Sequence, residues 1–417
     1  MAYVKHIYTS IDIGSDTIKV VVCELFNNKL NLLATSSVRS QGIKRGLITD
    51  TEQAALSLKK AINEVNDMLG IEIKKVIASV PSYYADFKMV NGEVAINNEE
   101  HLVTHKEITT VLQNAAKNNL SVNNETVTIL PIDFTVDNQR LVKDPKGLVG
   151  KVLKVRGIMI DTPKKNIVSV VSLIESLGIE VVDISINAVG DINAFRTKQM
   201  NNQIGAIINI GYETTTVSLY NKGIVVKNTI IGLGGRNIDN DVAYIYKVNL
   251  NEARKVKEKF AVADKKYANN YEVFETVDTT GEDIKITQKE VSEIVMSRIE
   301  EILALARKEI KTLTNQRIDY IIITGGTSSM RHFETVVDRI FNKKATVGSI
   351  KIIGLRNNKY SVAVGNIVYF INKLKLKGIN YTMVDEDDEE ELSAVKSDFD
   401  VPNDSMLGKV FGYFFGE

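Results

Sequence analysis

One short segment occurs twice in this chain of 417 residues, and the repeat restricts the possible folds more than any other feature. IDIGSDT at 11–17 and INIGYETT at 208–215 align as Ile, Asp or Asn, Ile, Gly, any residue, Asp or Glu, Thr. Each copy ends an apolar, β-branched run, and each leads into a second such run with an Asn-Lys turn, FNNK at 26–29 and YNKG at 220–223. Runs of this kind punctuated by Gly and Asn predict β-hairpins. The same hairpin therefore opens both halves, and two similar domains facing each other are expected. The length agrees, since one hydrophobic core seldom serves more than about 250–300 residues.

Around the first hairpin the pattern predicts three strands (YTSIDIG, TIKVVVCEL, KLNLLATSS). A helix follows from an N-cap at Asp50 or Thr51, with apolar Ala54, Leu56, Leu58, Ala61, Ile62, Val65 and Leu69, and stops at Gly70. The strand KKVIASVP comes next, which makes an α/β unit with a mixed sheet. Short strands and one helix, Thr104 to Asn118, predict a small inserted subdomain after Ser82. Past the second hairpin come helices through Ala243 and over NLNEARKVKEKF, and a long helix from Thr287 to Leu313. A strand then enters the Gly-rich TGGTSSM at 324–330, and a last helix covers 359–374. The chain divides into a first core (1–82 and 162–200), an insert (83–161), a second core (201–233 and 314–384) and its subdomain (234–313). An acidic linker (385–404) and an amphipathic helix (405–417) complete it.

Charge separates the last segments from the rest. The 52 basic and 52 acidic residues cancel, yet 385–417 holds eleven acids against two bases, which leaves the body at +9. The run DEDDEEE predicts a solvated linker, since like charges cannot pack. Beyond it Leu407, Val410, Phe411, Phe414 and Phe415 share one helical face, with Gly408, Lys409, Gly412 and Gly416 opposite. Such a tip either docks on the body or binds a membrane, and a tether this long is not needed to reach a neighbouring groove. The basic excess of the body lacks interleaved aromatics, which argues against nucleic acid as a partner. No run of about eighteen uncharged apolar residues is present, nor a secretory signal pattern. A lone cysteine, Cys23, excludes an internal disulfide and, within VVVCEL, is expected to be core.

Three Gly-containing turns at strand ends predict a phosphate-binding cleft. Backbone N–H groups in such turns make anion-binding concavities, and glycine permits close approach. Ser15, Thr17, Thr214 and Thr215 add hydroxyls, and Asp12 could hold Mg²⁺ through water, because that ion takes few carboxylates and keeps several waters. Walker A and GxGxxG patterns are missing, which argues against P-loop and Rossmann folds. His101 and His105 stand in HLVTH, without the glutamate of a zinc-protease helix.

Taken in order, IDIGSDTIK, INIGYETT, GLGGRNIDNDVA, NEARKVKEKF, ITGGTSSM, YSVAVG and the amphipathic end resemble the FtsA family of actin-like bacterial cell-division proteins. The insert after SVPSYY, GGRNID, the helix EVSEIVMSRIEEI and the tethered tip are the specific marks; the turns are common to actins, sugar kinases and heat-shock chaperones. The resemblance implies an α/β, actin-like (ribonuclease H-like, duplicated), two-lobed fold with inserted subdomains and a disordered C-terminal tail. It implies ATP and Mg²⁺ as cofactors. Gly14, Ser15, Asp16 and Thr17 would form the first phosphate turn, with Lys19 on a phosphate. Gly211, Tyr212, Glu213, Thr214 and Thr215 would form the second, and Gly234 and Gly235 would approach from the opposite lobe. Glu252 and Lys255 would contact the adenosine, and Gly325, Gly326, Thr327 and Met330 the adenine.

The implied activity is that of an adaptor. It would assemble into filaments, tether the FtsZ ring to the cytoplasmic face of the membrane at the septum through the tip, and recruit later division proteins. FtsZ would dock between Arg236 and Leu313, and Arg298, which interrupts an apolar stripe, is the expected contact. One departure bears on catalysis: Asn209 stands where many members of the superfamily carry Asp. With no general base evident unless Asp191 serves, at most slow ATP hydrolysis is expected, and Asn209→Asp should be at least as active. The alternative is a small-molecule kinase of the same superfamily, for which a tether and membrane tip have no use.

Overall fold

The computed structural model describes residues 6–117, 119, 123–137, 141–385, 387, 388 and 392. The rest of the acidic linker and the tip with Leu407, Val410, Phe411, Phe414 and Phe415 lie outside the described residues.

Each half builds the same five-stranded sheet. In the first the order is Lys29–Arg39, Thr17–Phe26, His6–Ile13, Lys75–Val80, Glu180–Ile186; in the second it is Ile224–Ile231, Thr215–Asn221, Ile204–Ile210, Tyr320–Thr324, Ala345–Val347. The first three strands of each are antiparallel and the last two join in parallel. β-Branched residues suit these strands because both faces are covered. Along Thr17–Phe26, Val20 and Val22 enter one core with Ala54, Leu58 and Val65 of the helix Thr51–Leu69. Val21 and Cys23, pointing the other way, enter a second core with Ile367 and Phe370. The helix Thr51–Leu69 is capped by Asp50, whose carboxylate accepts from Gln53 N at 3.1 Å, and ends at left-handed Gly70. Leu56, placed by its type in the apolar stripe, is 64% exposed.

The insert is a three-stranded sheet, Asp86–Ala95, Val152–Pro163 and Asn124–Val136, with the helix His105–Lys117 packed on it through Ile108, Val111 and Ala115. His105 Nδ1 meets Leu376 O at 2.7 Å, and among the described residues no group of three or more His, Cys, Asp or Glu is placed to hold a metal. The second lobe carries helices Gly235–Tyr246 and Leu250–Lys255, the latter running into a π-helical turn, Val256–Phe260. A hairpin, Val273–Val277 with Asp283–Thr287, and the long helix Gln288–Leu313 follow, and Val291, Val295, Ile299, Ile302 and Ala306 join the core of this lobe.

The helix Ser361–Lys377 corrects the division at 384. Its residues pack on the first sheet, with Phe370 edge-on to Tyr8 at 5.9 Å, not on the second. The chain then runs along the first strand: Met383 N donates to Ile7 O at 3.0 Å and Ile7 N to Thr382 Oγ1 at 3.1 Å. Asp385 and Asp388 pair with Lys74 at 3.3 and 3.1 Å, so the acidic run is anchored at its root, where charge alone predicted a wholly solvated segment. No helix among the described residues is long and apolar enough to cross a membrane.

Candidate functional site

The two repeated hairpins close in the same way. Gly14 N donates to Thr17 O at 3.2 Å, and Gly211 N to Thr214 O at 3.0 Å. Because both hairpins belong to sheets of one topology, their turns meet across the gap between the lobes. The third turn follows Tyr320–Thr324, which lies parallel to Ile204–Ile210. Gly325 there has φ +92°, and a Cβ on it would stand 2.4 Å from Ile210 O, so no other residue fits that position. The three turns line a cavity of ≈ 410 Å³, ample for a nucleotide.

Asp12, Gly14, Ser15, Asp16, Thr17, Lys19, Gly211, Tyr212, Glu213, Thr214, Gly325, Gly326, Thr327 and Met330 border this cleft. Five expected residues do not. Thr215 is buried, its hydroxyl donating to Leu233 O at 2.8 Å. Gly234 and Gly235 belong to the second lobe and sit beneath its own turn, where Gly235 N donates to Gly211 O at 2.9 Å. Glu252 and Lys255 pair with each other at 2.8 Å, and the lysine is 57% exposed. Arg254, Lys257 and Glu258 take their place on the cleft wall. Glu252 and Lys255 are assigned by the resemblance; in the structure Arg254 of the same α-helix, and Lys257 and Glu258 of the π-helical turn that follows it, reach the wall. Its one legible signal was the density of charge in NEARKVKEKF.

The polar groups of the cleft form three sets. Asp12 accepts from Lys19 Nζ at 2.9 Å and Ser79 Oγ at 3.1 Å, deep in the first lobe. Lys257 reaches the fully buried Asp239 at 2.6 Å, and burial pushes that carboxyl up to about 6 against the opposing pull of Lys257. Asp191, on the helix Asn187–Phe195, is fully buried at the cleft floor. It accepts from Asn209 Nδ2 at 3.0 and 2.8 Å and from Ser361 Oγ at 2.8 Å. Burial raises its pKa to about 7 in spite of those donors. Asn209 thus holds an acid from the other lobe, a function invisible in sequence because the partners lie eighteen residues apart on different elements.

Arg298, expected to meet a partner, is instead tied within the fold. Its guanidinium holds Asp241 at 2.7 and 2.8 Å and Glu301 beside it, which joins the long helix to Gly235–Tyr246. Neighbouring Tyr244 is 86% exposed, and Ile245 stands beside it.

Comparison with known proteins accords with this geometry. A family model described as "Cell division protein FtsA" matches residues 206–365, and a second, "SHS2 domain inserted in FTSA", matches residues 85–160; together they take in more than half of the chain. "Cell division protein FtsA" of Bacillus subtilis (strain 168) is 29% identical over 386 residues, 92% of this chain and 88% of that protein. The protein of the same name from Staphylococcus epidermidis (strain ATCC 12228 / FDA PCI 1200) is 28% identical over 400 residues, 94% of this chain and 85% of the relative. Among solved structures, a chain of the "PilM-PilN type IV pilus biogenesis complex" superposes with TM-score 0.60 at 13% identity, covering 88% of this chain and 98% of that one. MreB5 of Spiroplasma citri bound to ADP does so with TM-score 0.52 at 15% identity, covering 90% and 99%. These likenesses show the actin-like fold.

Proposed function

The chain belongs to the FtsA family, cell-division proteins with an actin-like fold, and from that premise we propose that it is an ATP-binding, filament-forming adaptor. In this reading it ties the FtsZ ring to the cytoplasmic face of the membrane at the septum and helps bring in later division proteins. The observation that carries the nucleotide part is the convergence of two equivalent glycine turns and the Gly325 turn on one cleft. Two structures of MreB5 of Spiroplasma citri with this fold are bound to ADP and to AMPPNP, which supports the same assignment.

Each part of the cleft has a task. The turn N–H groups face the phosphates, and Lys19, steadied by Asp12, adds a positive charge. The residues fit Mg²⁺ held mainly by phosphates and water, with Asp12 as the one protein carboxylate and Lys19 already balancing it. That ion would supply charge neutralisation on the phosphates. Asp191, half-ionised near neutral pH and oriented by Asn209 and Ser361, accepts the proton of an attacking water. Since its lone pairs are already engaged by three donor contacts, hydrolysis is slow. FtsZ docks on the subdomain 234–313, where exposed Tyr244 and Ile245 border the Arg298–Asp241 pair. The tip at 405–417 binds lipid weakly as a single copy. Its apolar face buries only partly, Gly408, Gly412 and Gly416 each cost about 1 kcal/mol of helix stability, and a filament multiplies the contacts.

The test is co-sedimentation with liposomes in the presence and absence of ATP. The full chain should pellet with vesicles when ATP permits assembly, Phe414→Glu should lose pelleting while retaining ATP binding, and Gly325→Val should lose ATP binding. Undiminished nucleotide affinity in Gly325→Val rejects the cleft. Turnover at ordinary kinase rates with a small-molecule acceptor would favour the kinase alternative.

A further inference from the structure

The repeat places Asp16 and Glu213 at equivalent positions, each two residues after its turn glycine, Gly14 or Gly211. A carboxylate at the tip of a turn that receives phosphate repels its ligand unless something cancels the charge. Both acids are cancelled, in different ways. Glu213 binds Arg236 of its own lobe at 2.5 Å and the Arg45 N–H of the opposite lobe. Asp16 takes both terminal nitrogens of Arg254 from across the cleft, Nη1 to Oδ1 and Nη2 to Oδ2 at 2.6 Å, and a single contact from Arg39 at 2.8 Å. Arg39 is 51% exposed and therefore screened by water and salt, whereas the Arg254 side chain is 10% exposed. The same guanidinium lies over the Tyr212 ring, 5.1 Å from its centroid, and bonds Glu258 at 2.7 Å. One side chain thus touches the first turn, the second turn and the cleft wall.

We propose that Arg254 is the positioning residue that makes the first turn fit to receive a polyphosphate: it neutralises Asp16 and holds the two turns at one spacing. This rests on the nucleotide reading above and extends it to a residue that contacts the turns, not the reacting atoms. Without Arg254 the Asp16 carboxylate faces the phosphates with only an exposed partner. Neutralising Asp16 in addition removes the repulsion and should recover the loss, which a merely structural role for Arg254 would not allow.

Calorimetric titration with ATP and Mg²⁺ on the full chain tests it, using the parent, Arg254→Gln, Asp16→Asn and the double variant. Arg254→Gln should bind ATP at least about tenfold more weakly, and the double variant, referred to Asp16→Asn as the fourth corner of the cycle, should regain most of the lost affinity. Parent-like binding by Arg254→Gln, or a double variant as weak as Arg254→Gln, overturns the inference and leaves the cleft assignment standing. A parent that binds no ATP overturns the nucleotide reading and this inference with it.

Discussion

At the scale of single residues, Asp191 links charge to both stability and chemistry. Burial holds its folded pKa near 7, above the usual 3.8. Between those values the folded chain keeps a proton that the unfolded chain releases, so this group lowers stability as pH rises through the window. Asp191→Asn should therefore flatten the fall in stability from pH 4 to 8 and be the more stable form at pH 8, by roughly 2–4 kcal/mol. Urea unfolding at several pH values reads this directly, and parallel profiles for parent and variant would refute it. The same contact reverses the expectation for Asn209→Asp. A carboxylate at 209 would stand 2.8 to 3.0 Å from Asp191 oxygens, and the pair would share one proton. Phosphate release by that variant should fall at pH 7, not hold. A rate equal to or above that of the parent would argue that Asp191 is not the proton acceptor.

At the scale of elements, the helices Asn187–Phe195 and Ser361–Lys377 cross at the cleft floor. Gly190 and Gly365 touch there, and a Cβ on Gly365 would lie 1.7 Å from Gly190 O. Backbone stands on both sides of this contact, so neither helix can yield without moving Asp191 and Ser361 as well. Gly365→Ala should cost about 3 kcal/mol and weaken ATP binding together with stability. Unchanged denaturant midpoints would mean that the crossing can open at little cost. On the second lobe, Arg298 fastens two helices through Asp241, so Arg298→Glu should lower stability as well as any partner affinity. Thermal melting separates the two effects, and a binding loss at unchanged melting temperature would assign Arg298 to the partner after all.

At the scale of the whole molecule, the acidic segment leaves the body at a defined place. Met383 and Val384 are buried against the first lobe, and Asp385 and Asp388 pair with Lys74. A chain ending at 392 should melt like the full chain while losing liposome binding. One ending at 378 should melt lower, because it also loses the apolar contacts and strand-like hydrogen bonds of 381–384. Equal melting temperatures for the two truncations would show that this root contributes nothing to the fold.

Much of this architecture was written locally. The duplicated hairpins, the turn glycines and the helix Thr51–Leu69 with its Asp50 cap are legible because their hydrogen bonds span three or four residues, and period and capping reveal them. So is the core of the candidate cleft, since three of its walls are those turns. What sequence could not give were contacts between distant elements. Packing between the lobes brings Arg254, Lys257 and Glu258 to the wall in place of Glu252 and Lys255. The helix Ser361–Lys377 is buried nearly all round, so its own pattern carries no preferred face, and only packing decides that it covers the first sheet. The Asp191–Asn209 and Asp16–Arg254 pairs unite residues of opposite lobes, and such pairs depend on where two separately folded sheets come to rest. Local hydrogen bonding determined the turns; only the closing of the lobes decided which charges would meet between them.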